Sequence, residues 1–291
     1  MEWNHSIALL VEKAGQAGKR ISDVVLSDQA EMMETSQEKI LERMKENLEV
    51  MRCSVRNGLK ADTRSVSGLT GGDAFLMQRY AEEAKSLSGS FSVKAIAKAI
   101  AVGEHNAAMG KIVAAPTAGA SGILPAAVLT LEEECGIDES TVLMALITAG
   151  ALGLVLANRA SISGAEGGCQ AECGSAAAMA AGAMVEMAGG SPAQVGNACA
   201  IALKNQLGLV CDPVAGLVEV PCIKRNAAGV MCAITAAEMA LAGIKSVIPV
   251  DEVIDAMREV GKSMPCALKE TAQGGLAATP TAQALKSRIL G

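Results

Sequence analysis

The chain has 291 residues and a formal net charge of −6. It is long enough for one large domain or two smaller ones, and its acidity argues against nucleic acid or an anionic membrane as a partner. The N-terminal sequence lacks the basic segment and long apolar run of a secretory signal. We therefore expect a cytoplasmic protein without structural disulfides, whose nine cysteines are buried apolar side chains, metal ligands or nucleophiles.

The N-terminal part of the chain is the most polar. Residues 28–52 predict an amphipathic helix that begins at Asp28 and carries a capping box formed by Thr35 and Glu38. Residues 58–92 are rich in Gly and Ser. This composition predicts loops or a boundary between two parts of the chain.

The remaining predicted helices are apolar and rich in small residues. They cover 93–109, 125–134, 139–158 after an Asp138 cap, 175–188, 192–207 after Ser191 and Pro192, 226–242, and 252–261 after Asp251. The apolar stretch 142–157 is shorter than the roughly 20 residues that cross a membrane, so it predicts a buried core helix.

No segment alternates polar and apolar residues as a strand does. The sequence therefore predicts an all-α fold with one large helical domain over residues 1–291. A subdivision into polar helices (1–90) and an apolar helical core (91–291) is the alternative. Three polar loops between helices, 115–122, 161–174 and 208–227, are where we expect a functional site.

Two of these loops carry paired cysteines. Cys169 and Cys173 are separated by three residues, and Cys211 and Cys222 by ten. These spacings match neither the tight pairs of a zinc knuckle nor a ferredoxin pattern, so spacing alone leaves metal binding and structural packing both open. Structural packing is the prediction for the other cysteines, which are Cys53, Cys135, Cys199, Cys232 and Cys266.

Three long motifs carry a family resemblance. The runs PTAGASGILPA, SISGAEGGCQAE and LGLVCDPVAGLVEVPCIKRNA resemble the α subunit of the bacterial iron–sulfur L-serine dehydratases. So do RISDVVLSDQAEMMETS and SGLTGGDA near the N-terminus and GGLAATPT near the C-terminus, so the resemblance covers nearly the whole chain.

The resemblance implies a 4Fe-4S cluster held by Cys169, Cys211 and Cys222, with Cys173 as a neighbour of the cluster. It implies conversion of L-serine to pyruvate and ammonia. With only three thiolates, one iron stays open to act as a Lewis acid on the substrate hydroxyl, and a base removes the α-proton.

The resemblance also implies a substrate site. The run PTAGASG resembles the family's substrate-binding loop, in which Thr117, Ser121 and the N–H groups of Gly119 and Ala120 can hold a carboxylate. The positive segment after Cys222 can bind that carboxylate or offset the cluster charge; it contains Lys224, Arg225 and Asn226. Two carboxylates, Glu166 and Glu172, remain open as ligands of the substrate ammonium, as groups that orient a neighbour or as solvated charges.

The base is expected on a partner. The family's essential histidines belong to a β subunit or a fused β domain, and this chain has His5 near its N-terminus and His105 as the one candidate near the substrate loop. We therefore expect an oligomeric enzyme that needs a β subunit, acts on a small amino acid and binds no nucleic acid or membrane. The alternatives are a related cysteine desulfidase or other β-elimination lyase, a pyridoxal-phosphate lyase, and a helical interaction or membrane protein.

Overall fold

The computed structural model describes residues 1–83 and 86–291, and within these ranges the regular structure is helical with no β-strand. The all-α class is confirmed. In chain order the α-helices are α1 (Ile7–Gln16), α2 (Ile21–Met32), α3 (Gln37–Gly58), α4 (Asp73–Glu83), α5 (Gly89–Ala107), α6 (Ile123–Cys135), α7 (Glu139–Arg159), α8 (Gly164–Gly167), α9 (Ser175–Met187), α10 (Pro192–Lys204), α11 (Cys222–Leu241), α12 (Val250–Ser263) and α13 (Pro280–Leu290).

Helix α9 is the centre of the fold. Every one of its residues is buried, and it packs against α6, α7, α10 and α11. Glycines permit this packing: a Cβ at Gly182 would collide with the Leu152 side chain, and one at Gly153 would lie 2.9 Å from the Met179 methyl carbon. A chain with four aromatic residues thus fills its core by close helix approach.

One large apolar core runs through most of the chain, and a smaller cluster of Ala74, Ile100, Ala101 and Ile223 is separate from it. Buried side chains from Trp3 to Met257 belong to one contiguous cluster. Helix α7 is the one helix in the described part of the chain that is long and apolar enough to cross a membrane, and 56% of that apolar window is buried in the protein. It packs against α2 and α9 as a core helix does, which is what the short apolar stretch 142–157 predicts.

The helix start predicted at Asp28 is wrong. Asp28 lies inside α2, where its carboxylate accepts a 2.7 Å hydrogen bond from the Trp3 indole N–H. The chain breaks between α2 and α3, and the N-cap of α3 is Ser36, whose hydroxyl accepts from the Lys39 N–H. The capping signal at Thr35 was therefore displaced by one residue.

The glycine- and serine-rich segment contains a helix that its composition did not predict. Helix α4 lies within it, and the buried Glu104 carboxylate of α5 accepts hydrogen bonds from the N–H groups of Asp73 (2.8 Å) and Ala74 (3.3 Å). A carboxylate at a helix N-terminus satisfies unpaired N–H groups and favours the helix dipole. Residues 84–85 of this segment lie outside the described residues.

Candidate functional site

The chain around Cys169 has an irregular backbone. The short helix α8 ends at Gly168, which has a φ of +76°, and a π-helical turn, Gln170–Gly174, follows Cys169. A Cβ at Gly168 would lie 2.6 Å from the Met264 sulfur and 3.0 Å from the Leu209 carbonyl oxygen. Only glycine therefore suits this position, and the π-turn is a form found frequently at functional sites.

Gln170 fixes the Cys169 turn to the segment that leads to Cys211. Its backbone N–H donates to the Leu209 carbonyl, and its side-chain oxygen accepts from the Gly208 N–H, both at 2.9 Å. Its amide nitrogen donates to the Met257 carbonyl at 2.9 Å. The role of Gln170 was not predicted from the sequence; a glutamine between two cysteines and next to an apolar helix was the available signal.

Cys211 is held by the C-terminal segment. Its N–H donates to the Leu268 carbonyl at 2.8 Å, and its carbonyl accepts from the Glu270 N–H at 2.7 Å. These two bonds form an isolated parallel bridge between Cys211 and Lys269. The backbone after α12 thus pairs with Cys211, a residue that is 3% exposed.

Cys222 is the first residue of α11, and Arg225, one turn later, ties it to the Cys211 segment. One guanidinium nitrogen donates to the Val210 carbonyl at 2.8 Å. Another lies 2.8 Å from Asp212 Oδ1, an ion pair that is not aligned as a hydrogen bond. Asp212 Oδ2 in turn accepts from the Leu276 N–H at 2.7 Å. Arg225 therefore neutralises and positions the loop rather than facing an open cavity.

Cys169 is the most readily ionised thiol of the site. Its sulfur lies 3.3 Å from that of Cys173, and the hydrogen bond between them lowers the pKa of Cys169 while it raises that of Cys173. The charge of Arg225 also lowers the pKa of Cys169. A thiolate is the form that binds metals, so Cys169 is better prepared than Cys173 to act as a ligand.

The thiols of Cys211 and Cys222 belong to the same electrostatic site as Cys169. Burial, together with the negative charges of Cys169 and Glu172, raises the pKa of both thiols, and that of Cys222 to about 12. Such mutual influence requires that the groups lie near one another, because Coulomb energy falls with distance. Cys169 and Glu172 are thus close enough to Cys211 and Cys222 for their charges to act on both thiols, and the binding of one cluster by the three cysteines stays a prediction.

The loop predicted to bind substrate lies at the start of α6. The Asn226 amide holds it: the side-chain oxygen accepts from the Gly122 N–H at 2.9 Å, and the nitrogen donates to the carbonyls of Gly119 (2.7 Å) and Cys222 (2.9 Å). Ser121 Oγ donates to the Ala118 carbonyl at 2.8 Å. Asn226 and Ser121 therefore shape this loop.

Two backbone N–H donors of this loop lack a protein acceptor among the residues described. In the described part of the chain, the N–H groups of Gly119 and Ala120 donate to no protein acceptor. Thr117 Oγ1 is buried and has no aligned hydrogen-bond partner, although it lies close enough to Glu172 to lower the pKa of that carboxyl. Polar atoms buried without partners are uncommon, so these groups are candidates to bind a ligand.

Glu172 faces this loop from the π-turn. Its Oε2 lies 4.0 Å from the Cys211 sulfur, and Cβ atoms built at Gly164 and Gly119 would lie 2.9 and 3.4 Å from its carboxylate oxygens. Burial raises its pKa. The other carboxylate that the sequence left open, Glu166, is exposed and lines a separate small cavity with Arg258.

Two other candidates have contacts outside this group. Lys224 is exposed and pairs with Asp73 at 2.8 Å. The His105 imidazole lies against Gly110, and burial together with the charge of Lys60 lowers its pKa. None of these contacts links His105 to the thiols, so its role as base stays a prediction.

A cavity of about 950 Å³ lies next to the loop. Val218 lines it and also lies 3.5 Å from a Cβ built at Gly119. Its wall includes Val66 and Met109, which are 78% and 82% exposed, but none of the thiols. The candidate site is therefore the group of thiols, Glu172 and the loop, and the cavity borders it.

Comparison with known proteins gives a consistent result. The family model described as serine dehydratase alpha chain matches residues 16–277. A probable L-serine dehydratase alpha chain of Bacillus subtilis is 55% identical over 97% of this chain and 94% of its own length. An L-serine dehydratase alpha chain of Peptoniphilus asaccharolyticus is 44% identical over 97% and 96%.

Other relatives are longer than this chain. An L-serine dehydratase of Streptomyces coelicolor is 42% identical over 92% of this chain, but the match covers 59% of the relative. The match therefore leaves a substantial part of that relative without a counterpart here.

Proposed function

Because this chain belongs to the serine dehydratase alpha chain family, we propose that it is the iron–sulfur subunit of an enzyme that converts L-serine to pyruvate and ammonia. The observation that supports the proposal is that the charge of Cys169 acts on the buried thiols of Cys211 and Cys222, next to a loop with free backbone donors. The names of the relatives support the substrate and the class of reaction, a lyase reaction.

The donor set suits an iron–sulfur cluster. Cysteine thiolates are the usual ligands of such clusters, and Cys169, Cys211 and Cys222 are 2%, 3% and 8% exposed. Among the described residues no three His, Cys, Asp or Glu side chains surround a point that fits a single metal ion. A 4Fe-4S cluster is a larger body than a single ion and needs thiolates spaced farther apart.

When bound, a cluster with three protein thiolates supplies an open iron that acts as a Lewis acid on the substrate hydroxyl. The protein contribution is to hold the thiolates and balance their charge. Arg225 supplies positive charge next to Cys169 and Cys222, whose negative charges raise its pKa. Gln170 and Asp212 hold the backbone on either side of the ligands.

The substrate carboxylate would bind at the start of α6. The N–H groups of Gly119 and Ala120 donate to no protein acceptor within residues 1–83 and 86–291, which favours the binding of an anion there. Thr117 and Ser121 belong to the same loop. Backbone N–H groups at a helix start form a common anion site. Arg225 and Asn226 are occupied by protein partners, so we propose that they support the cluster charge and this loop, whereas Lys224 pairs with Asp73 outside the site.

The elimination also needs a base for the α-proton. Loss of that proton and of the hydroxyl as water leaves 2-aminoacrylate, which tautomerises to an imine and is hydrolysed to pyruvate and ammonia. The known contacts of His105 are with Gly110 and the charge of Lys60, and they include none of the thiols. We propose that a β subunit supplies the base, as the designation alpha chain of the relatives suggests, and that the enzyme is a cytoplasmic oligomer.

The proposal is tested by reconstitution. The chain is loaded with iron and sulfide under anaerobic conditions, with and without the β subunit encoded by the same organism, and pyruvate is measured with L-serine, L-threonine and L-cysteine. We expect turnover of L-serine only with both chains. Turnover by the chain alone would contradict the partner requirement, and preference for L-cysteine would indicate a desulfidase.

A further inference from the structure

The Glu172 carboxylate lies between the two halves of the candidate site. It comes from the π-turn that follows Cys169, and it faces the loop that carries Gly119 on one side and Gly164 on the other. Both facing positions lack a side chain, and a Cβ at either would narrow the space around the carboxylate to 3.4 or 2.9 Å. The protein therefore keeps room around this group.

Glu172 has no cation partner. Within the described ranges, no Lys, Arg or His side chain lies within 4.0 Å of its carboxylate, whereas the neighbouring Asp212 is paired with Arg225 at 2.8 Å. The groups whose charges reach it are themselves acidic, namely Glu270 and the thiols. A half-buried carboxylate in such a place is costly unless a positive group binds to it.

A second polar group next to Glu172 also lacks a partner. Thr117 Oγ1 is buried, lies close to the carboxylate, and has no aligned protein partner. Thr117 precedes the free N–H groups of Gly119 and Ala120 by two and three residues. The site thus presents two hydrogen-bond acceptors, Glu172 and Thr117, beside two backbone N–H donors.

This arrangement matches the two charged groups of an α-amino acid. We propose that Glu172, assisted by Thr117, binds the α-ammonium group of the substrate while the N–H groups of Gly119 and Ala120 bind its carboxylate. This inference rests on the proposed function. It adds an explanation of how the site selects amino acids over hydroxy acids. The ammonium donates to the Glu172 carboxylate and the Thr117 oxygen, and no proton needs to be transferred.

The test uses the complete enzyme, this chain with its β subunit and reconstituted cluster. Glu172→Gln removes the negative charge and keeps the size, and Glu166→Gln is the matched control because Glu166 is the exposed carboxylate of the same loop. The probes are L-serine and 3-hydroxypropionate, which retains the hydroxyl and carboxylate of serine but lacks the amine. Iron content and the visible spectrum are measured for each variant.

We expect Glu172→Gln to raise the KM for L-serine by about 10- to 100-fold, the value of a hydrogen bond to a charged group, with unchanged inhibition by 3-hydroxypropionate and unchanged iron content. Glu166→Gln should leave all of these values as in the wild type.

An equal loss of affinity for 3-hydroxypropionate, loss of iron from Glu172→Gln, or a wild-type KM in that variant would each overturn the inference. Failure of the proposed function has a different signature, because then the wild-type complex itself does not turn over L-serine.

Discussion

The guanidinium of Arg225 lies 2.8 Å from the carboxylate of Asp212, and this ion pair joins the two segments that carry Cys222 and Cys211. The Arg225 side chain is 17% exposed and that of Asp212 is 4% exposed, so the pair lies largely out of water. Each partner also holds backbone, Arg225 at the Val210 carbonyl and Asp212 at the Leu276 N–H. The Arg225–Asp212 contact thus sets both the positive charge near the thiols and the geometry of the loop that carries Cys211.

Replacement of Arg225 should weaken both the fold and the cluster site. Arg225→Met leaves Asp212 buried without its cation, which should lower the free energy of unfolding by about 3 kcal/mol and reduce the iron bound. Lys224→Met is the control, because its ion pair with Asp73 is exposed and should contribute less than about 1 kcal/mol. Anaerobic urea denaturation and iron analysis measure both effects. Equal stability of the two variants would show that the Arg225 pair has no special role.

The local part of this architecture could be predicted from the sequence. As predicted, Asp138 caps α7 and accepts from the Thr141 N–H at 3.0 Å, and Ser191 caps α10 with Pro192 as its first residue; Gln194 completes a capping box there. These signals span three residues and therefore need no knowledge of the fold. The helix start at Asp28 was wrongly predicted because the hydrogen-bond partner of Asp28, Trp3, is distant in sequence.

The long-range part could not be predicted. Helix α4 begins where Glu104, about thirty residues later, caps it. The bridge between Cys211 and Lys269 joins segments that no local pattern connects. In the same way, composition could not distinguish Glu166 from Glu172; the π-turn turns one carboxylate into the site and leaves the other exposed.

Gly168 should be more sensitive to substitution than a comparable glycine elsewhere. Gly168 and Gly189 have φ values of +76° and +77°, so alanine is strained at both by about 1–2 kcal/mol. At Gly189 a Cβ meets nothing within 4 Å, whereas at Gly168 it lies 2.6 Å from the Met264 sulfur. Gly168→Ala should therefore lose a further 1–3 kcal/mol, roughly the cost of overpacking, and should bind less iron at the adjacent Cys169.

Thermal denaturation of the two glycine variants, with iron analysis of the anaerobic protein, checks this expectation. If Gly189→Ala is destabilised as much as Gly168→Ala, or if Gly168→Ala retains all its iron, the close approach at Gly168 does not matter for the site.

The cap of α7 should make a pH-dependent contribution to stability. Hydrogen bonds from Ser140 and Thr141 lower the pKa of Asp138 from 3.8 to about 2. A lowered folded-state pKa means that the contribution is present above about pH 4 and is lost as the pH falls through about 2. Asp138→Asn keeps the acceptor but does not titrate. The melting temperature of the wild type should exceed that of Asp138→Asn at neutral pH, and the two should converge near pH 2, roughly the folded pKa. A constant difference over that range would contradict the assignment.

The central claim is that Cys169, Cys211 and Cys222 hold the cluster and that Cys173 does not. The most direct measurement is the iron content and visible spectrum of the four single Cys→Ser variants after anaerobic reconstitution, with circular dichroism to confirm folding. The account predicts about four irons per chain in the wild type and in Cys173→Ser, and loss of iron and colour in the other three. A folded Cys169→Ser, Cys211→Ser or Cys222→Ser variant with the wild-type spectrum, or a colourless wild type, would contradict it.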